Sequence, residues 1–437
     1  MNPTVKVIGA GLAGCEAAWQ LANRGISVEL YEMKPDNKTP AHNSPDFAEL
    51  VCSNSLRSSD ISSAVGLLKE EMRTLGSLII DSATVTKVPA GGALAVDREK
   101  FSALITDKIK NHPIIEIKTQ EVTDIPDGFV IIATGPLTSQ KLTEKITGLL
   151  PSEKMLSFFD AAAPIVTFES IDSNLSFFAS RYDKSGLDYI NCPMNEQEYK
   201  AFHKELTEAE TVIKRDFEKS SIFEGCIPIE IMAKRGVDTI RFGPLKPVGL
   251  NNPITGKPNY AVVQLRQDNK EGTLYNLVGF QTNLTFGEQK RVFSMIPALE
   301  NAQFVRFGVM HKNTYIDSPN LLDKYNRLIQ TPRIRFAGQI TGVEGYVESA
   351  SSGLLTGIET ANELLGAKPA DFPRSTAIGA LALYISEKCV SAFQPMNINY
   401  GLIESADITV KGKKNRNKIL AEKSLAWIKA HVERNKT

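Results

Sequence analysis

The stretch from Val5 to Glu32 constrains the fold more than any other part of the chain. Val5 to Ile8 is a short apolar run that reads as a buried strand, and Gly9-Ala10-Gly11-Leu12-Ala13-Gly14 follows it directly. Cys15 to Asn23 then reads as a helix with Gly25 as its stop, and Ile26 to Tyr31 alternates as a second strand with Glu32 at its end. A strand, a crossover helix and a second strand within about thirty residues make a βαβ unit, whose strands must run parallel. Gly9, Gly11 and Gly14 fit GxGxxG in its required setting: the glycines permit a tight turn, let the backbone approach a pyrophosphate, and seat that anion at a helix N-terminus. Glu32 lies at the position where a carboxylate can accept from a ribose hydroxyl. A glycine-rich packing turn would leave Glu32 unexplained. We therefore expect a dinucleotide on Gly9, Ala10, Gly11, Leu12, Ala13, Gly14 and Glu32.

Two later turns favour FAD over a resident NAD. Ala133-Thr134-Gly135 ends one strand, and Phe336-Ala-Gly338-Gln339-Ile340 ends another about two hundred residues later, leading through Gly342 into a helix at Tyr346 to Leu365. Flavoproteins that close around an extended FAD use a late helix N-terminus in this way, which is an argument from fold analogy. No second strand–GxGxxG–helix unit follows, so NAD(P)H, if used, would visit rather than stay. Between the two turns the texture changes. Short strand-like runs at Ile165 to Phe168, Tyr260 to Leu265 and Leu274 to Val278 surround a charged helical stretch at Glu196 to Phe217. The expected architecture is α/β: a Rossmann-like FAD-binding domain with an inserted α+β domain. Residues 1–162 and 323–437 would form the FAD-binding domain, and 163–322 the insertion. Further helices are expected at Ala64 to Leu75, Asp97 to Asn111 and Ala380 to Phe393, strands at Ile114 to Lys118 and Gly128 to Ala133, and a polar loop with short helical pieces from Lys34 to Ser63. Gly353 and Gly357 are spaced for close helix packing.

Composition matters here for what it excludes. No apolar run approaches the ~18 residues of a membrane span, and the N-terminus shows no basic-then-apolar secretory pattern. Five cysteines with no CxxC pair argue against a disulfide framework and a zinc cluster, and for a reducing cytoplasm. Lysine plus arginine number 50, as do aspartate plus glutamate, so no global charge draws the chain to nucleic acid. Local basic clusters exist at Lys234, Arg235, Arg241 and Lys246, and at Lys411, Lys413, Lys414, Arg416 and Lys418.

The cysteines divide by setting. Cys15 and Cys389 fall in helices and read as packing residues, while Cys192 beside Pro193 carries no signal. Cys52 stands in Glu49-Leu-Val-Cys-Ser-Asn-Ser-Leu-Arg57, among small polar groups and an arginine that can favour a thiolate. Cys226 stands in Phe223-Glu-Gly-Cys-Ile-Pro-Ile-Glu230. From chemistry alone, each is either a reactive thiol or an ordinary buried one. His42, Glu344 and Tyr346 are lesser candidates, and for each an ordinary structural role is the simpler reading.

Val7 to Gln20, Pro40-Ala-His42, Glu49 to Arg57, Glu224-Gly-Cys226 and Gly338 to Glu348 together resemble the TrmFO family of folate- and FAD-dependent tRNA (uracil-5-)-methyltransferases, from the first strand to the C-terminal region. The related MnmG (GidA) flavoproteins share the Gly-Gln-Ile-x-Gly turn. The resemblance implies transfer of a one-carbon unit from 5,10-methylenetetrahydrofolate to C5 of the T-loop uridine of tRNA, with FAD reduced by NAD(P)H and no metal. It also implies that Cys52 and Cys226 are the two cysteines of the chemistry. We assign Cys226 as the nucleophile and Cys52 as the flavin-side partner, with the order of the two roles open. Uracil C5 is a poor nucleophile, and a thiolate adding to C6 activates it as an enolate. The rival readings are the same chemistry on a ribosomal RNA uridine, a flavin oxidoreductase for a small molecule, and a non-catalytic RNA-binding flavoprotein.

Overall fold

The computed structural model describes residues 3–39, 41–150, 155–183, 186–212, 227–253, 256–388, 393–404, 410 and 412–434. Its organising element is a five-stranded parallel sheet: β1 (Val5–Ile8), β2 (Val28–Glu32), β3 (Ile115–Thr119), β4 (Phe129–Ile132) and β5 (Ile334–Phe336), in the order β5-β4-β1-β2-β3. All four pairings are parallel, with Val5 opposite both Val28 and Phe129. The strand order reverses between β1 and β4, the switch point at which open α/β sheets take their ligands.

Helix α1 (Leu12–Ala22) fills this βαβ unit. Leu12, Ala13, Cys15, Ala17, Ala18, Leu21 and Ala22 are all buried, so the helix is covered on every side. Its cover comes from α3 (Tyr346–Leu364) and from the helices Leu78–Val85 and Arg98–Lys110, while α2 (Ala64–Thr74) packs against α3. The close approach of α1 and α3 needs glycine: a Cβ on Gly357 would lie 2.7 Å from Ala17 O, and one on Gly353 would meet the Ala13 backbone. The small-residue spacing read from the sequence thus packs the two helices that bracket the nucleotide turn. Glu16, buried inside α1, accepts from the Ser77 hydroxyl at 2.7 Å and the Ile79 N–H at 3.0 Å, which caps the helix Leu78–Val85. A long helix, α4 (Lys413–Arg434), lies on α2 through Leu420, Ala421 and Ile428.

The middle of the chain forms a six-stranded sheet with its own core. The order is Phe177–Phe178, Tyr189–Met194, Ala261–Gln267, Leu274–Leu277, Ile165–Thr167 and Phe304–Arg306, with every pairing antiparallel. The core behind it includes Tyr199, Phe202, Phe280 and Phe293. A two-stranded antiparallel link, Met155–Ala161 with Met310–Ile316, joins this sheet to the parallel one.

Three local expectations change. The charged helix stops at Glu208, because Thr211 pairs with Leu284 and the Val212 N–H donates to Asn283 O, pulling the chain into an extended path. The segment Lys34 to Ser63 holds a strand, Ser55–Ser58, where helical pieces were expected; it pairs with Ala93–Val96, a partner distant in sequence. The helix expected at Ala380 to Phe393 runs from Ala377 to Tyr384, where a Thr376 cap starts it. No helix among the described residues is long and apolar enough to cross a membrane.

Candidate active site

The nucleotide turn is built as the motif requires. Gly9 has φ of +98°, and a Cβ there would lie 2.8 Å from Ala133 O, so β4 closes over the turn. A Cβ on Gly14 would overlap the Gly9 carbonyl, which ties the first turn of α1 to the end of β1. Gly11 differs: a Cβ there would meet nothing within 4 Å. Its glycine character serves open space above the helix N-terminus, where a phosphate would rest. Glu32 Oε2 accepts from the Ala10 N–H at 2.9 Å and Oε1 from the Lys34 N–H at 3.0 Å. Both oxygens keep a further lone pair for a ribose hydroxyl. The hollow beside them is lined by Gly9, Gly11, Glu32, His42, Thr134 and Thr138 among others. An unfilled cradle over Gly11, a carboxylate held at the end of β2 and an uncapped helix start together fit the adenosine and pyrophosphate of FAD. Leu12 and Ala13 turn their side chains into the core, so only their backbone can serve a ligand. Gly135, with φ of +66°, shapes the turn after β4, while its neighbour Thr134 faces the hollow.

The late turn sits against the early one. A Cβ on Gly338 (φ +83°) would lie 2.7 Å from Ala13 Cβ, so the end of β5 rests on the first turn of α1. Gln339 donates to Glu344 at 2.7 Å, and Gly342 (φ +84°) leaves room only for the Phe393 ring. α3 begins just beyond, and its first residue, Tyr346, points at Cys52. The Tyr346 hydroxyl accepts from the N–H groups of Cys52 at 2.8 Å and Ser53 at 3.3 Å, and lies 2.9 Å from Cys52 Sγ. With its lone pairs taken by two N–H groups, its own proton is left for the sulfur. Burial, with the Cys52 sulfur next, pushes this hydroxyl well above its usual pKa, so it stays a donor.

Arginines from the antiparallel sheet hold the half-buried Cys52 loop from behind. Arg266 donates to Asn54 Oδ1 and Ser53 Oγ, both at 2.8 Å, and Arg306 donates to Val51 O at 3.0 Å. Arg98 donates to Leu50 O at 2.6 Å while chelated by both Asp268 oxygens at 3.0 Å. Sequence reasoning missed all four of these groups. Nothing local marks them, since their partners lie more than forty residues away in the chain.

The remaining candidates separate clearly. His42 joins the nucleotide hollow, with Nδ1 2.6 Å from Thr39 Oγ1. Burial, helped by Lys34 and Arg306, lowers its pKa to about 4, so it is neutral at ordinary pH. Cys15 and Cys192 are fully buried, and burial pushes both thiols far up. Cys226, Glu224, Cys389 and Lys411 lie outside the described residues. Arg241 stacks over the Tyr260 ring at 4.0 Å and pairs with Asp238, a structural placement. Lys413, Lys414 and Lys418 stay exposed at the start of α4, which Asn417 fastens to Ser62 O at 3.0 Å, ten residues beyond Cys52.

Comparison with known proteins bears on this site. The family model for glucose inhibited division protein A matches residues 4–368. A relative from Acetivibrio thermocellus, a methylenetetrahydrofolate--tRNA-(uracil-5-)-methyltransferase TrmFO, is 58% identical over 431 residues, covering 98% of this chain and 99% of its own. The chain belongs to the TrmFO family. The Bacillus subtilis protein of the same name is 56% identical over 97% of this chain and 98% of its own. Among solved structures, Aquifex aeolicus GidA superposes with a TM-score of 0.69 at 16% identity, covering 99% of this chain and 75% of that one. This last likeness establishes the shared fold. The family and the strand order together make the protein an α/β flavoprotein-type fold of the GidA group, as the sequence reading expected.

Proposed function

We propose that the protein transfers the one-carbon unit of 5,10-methylenetetrahydrofolate to C5 of the T-loop uridine of tRNA, giving 5-methyluridine, with FAD as its resident cofactor and NAD(P)H as reductant. The carrying observation is near-end-to-end identity with relatives named for that reaction. The cradle on Gly9, Ala10, Gly11, Gly14 and Glu32, next to the Gly338–Gly342 turn, would hold the FAD. When bound, the flavin supplies the hydride equivalent that a methylene-level carbon needs to become methyl. The protein's own groups do the rest. The Cys226 thiolate bonds to C6 of the uracil, and the ring electrons shift onto O4 as an enolate, which makes C5 a nucleophile. C5 bonds to the methylene carbon as that carbon leaves one folate nitrogen, which keeps the electron pair; loss of the C5 proton then expels the other nitrogen, and once the carbon has taken the hydride equivalent the electrons return to the ring and the S–C6 bond breaks. Cys52, donated to by Tyr346 and braced by Arg266 and Arg306, is the thiol of the flavin side and the candidate for that proton. His42, neutral in the hollow and with Nδ1 held by Thr39, orients the bound nucleotide or folate through Nε2. The division into 1–162, 163–322 and 323–437 belongs to this proposal, with Lys234, Arg235, Lys246 and the start of α4 tracking RNA phosphates. So does a cytoplasmic setting, where thiols stay reduced.

The test is nucleoside mass spectrometry on an unmodified tRNA transcript incubated with the FAD-loaded protein, methylenetetrahydrofolate and NADPH. 5-Methyluridine should form only with folate present, and Cys226→Ala should abolish it. Product from Cys226→Ala at the wild-type rate would remove that residue as nucleophile. No product from the wild type on tRNA, with product on ribosomal RNA, would move the substrate.

A further inference from the structure

Three phenylalanine rings form a ladder on the antiparallel domain. Phe286 stacks on Phe307 with centroids 4.9 Å and planes 16° apart, and Phe307 lies over Phe304 at 5.5 Å and 12°. Phe304 continues into the core through Phe293, whose ring is tilted at 6.5 Å. The inner end is therefore anchored. The outer end is bare: Phe286 keeps 53% of its surface exposed. Leaving apolar surface of this size in water costs free energy that a ligand would recover.

Its place in the fold says which ligand. Arg306, next to Phe307, holds Val51 O, one residue from Cys52. At the Phe286 end, the chain that goes on to Cys226 leaves the described residues at Val212, whose N–H donates to Asn283 O at 2.9 Å. It returns at Ile227, and the Ile229 N–H donates to Gln281 O at 2.7 Å. Both anchor points lie just before Phe286 in sequence. The ladder thus joins the base of the Cys226 segment to the brace of the Cys52 loop. Lys290, one helical turn beyond Phe286, is exposed and can meet a phosphate. A row of parallel rings with an open outer face and a cation beside it suits an unstacked nucleobase, because every base offers a π face.

We infer that Phe286 and Phe307 form a stacking platform for a base of the RNA substrate, next to the uridine that must leave its stack to be modified. The inference rests on the tRNA reading above. A base that stacks here replaces the stacking lost in the T-loop, which lowers the cost of exposing the target.

The experiment uses the full-length, FAD-loaded protein and a T-arm hairpin RNA carrying 2-aminopurine beside the target uridine. Phe286→Leu keeps apolar bulk and removes the π face; Phe286→Tyr keeps both. Expected are an RNA KM about ten- to hundred-fold higher in Phe286→Leu, the range of one lost base–aromatic stack, and recovery to within about three-fold in Phe286→Tyr. Fluorescence quenching on binding should be lost in the Leu variant only, and flavin content and melting midpoint should match the wild type in both. Equal KM and quenching in Phe286→Leu would overturn the platform, as would a hairpin that the wild type does not bind. Conversion of a dimer to a monomer by Phe286→Leu would also overturn it, because the ladder would then be covered by a second copy. Phe286-dependent quenching without 5-methyluridine from the wild type would keep the platform and remove the methyltransferase reading.

Discussion

Gly11→Ala separates the needs of the ligand from those of the fold. Gly11 caps α1 at φ −76° and ψ −170°, an extended conformation open to alanine, and its Cβ would meet nothing within 4 Å. Two small effects on the folded protein oppose each other. Losing glycine's freedom in the unfolded chain stabilises by about 0.4–1 kcal/mol, and alanine is a poorer N-cap than glycine by a similar amount. The ligand-free protein should therefore melt within about 1 kcal/mol of the wild type. The ligand suffers more. A methyl in that open space keeps the pyrophosphate from the helix start, forfeiting about one charge-assisted hydrogen bond, ~1.5–3 kcal/mol, and a dipole share of ~0.3–1 kcal/mol. A loss of about 2–4 kcal/mol makes FAD bind roughly thirty- to thousand-fold more weakly. Flavin-stripped protein titrated with FAD, followed by fluorescence quenching and by thermal melts with and without FAD, reads both quantities. Gly14→Ala is the contrast: its Cβ would overlap the Gly9 carbonyl, so the ligand-free melt itself should fall. Wild-type FAD affinity in Gly11→Ala, or an equally lowered ligand-free melt, would refute the reasoning.

Gly353→Ala should lower stability by about 1–3 kcal/mol or more in urea unfolding, since its Cβ would lie 2.7 Å from Ala13 Cα and force α1 and α3 apart. Glu71, fully buried against the Ala377 and Ile378 N–H groups and the Ser424 hydroxyl, has its pKa raised by burial to about 7. Between the usual carboxylate pKa and about 7 the folded state holds the extra proton, so its contribution to stability is present at low pH and is lost as pH rises through that window. Glu71→Gln should flatten the pH dependence of the melt there; an unchanged slope would exclude Glu71 as its source. His42 should titrate near pH 4 by NMR, and the stability it contributes should be lost as pH falls from about 6.5 towards 4, because the unfolded imidazole takes the proton first.

The sequence by itself determined the βαβ unit, the Gly9–Gly14 turn, Glu32, and the family carried by Cys52 and the Gly338–Glu348 run. These were legible because their physics is local: glycines where a Cβ cannot fit or φ must be positive, apolar periodicity for strand and helix, an acid at a strand end. Gly353 and Gly357, one turn apart, showed in advance that their helix packs closely, and the structure supplies α1 as its partner. Only tertiary structure decided how Cys52 is held. Tyr346 stands 294 positions from it, and Arg266 grips its neighbours from a strand more than 210 positions away. The charged helix ended at Glu208, and a strand replaced the expected loop at Ser55–Ser58, for the same reason. Pairing with a remote backbone outweighed local propensity there, and a propensity of tenths of a kcal/mol per residue cannot compete with a satisfied hydrogen-bond ladder in a desolvated setting. The phenylalanine ladder belongs to that second group: three rings scattered from 286 to 307 become one surface only when a helix and an edge strand are brought side by side.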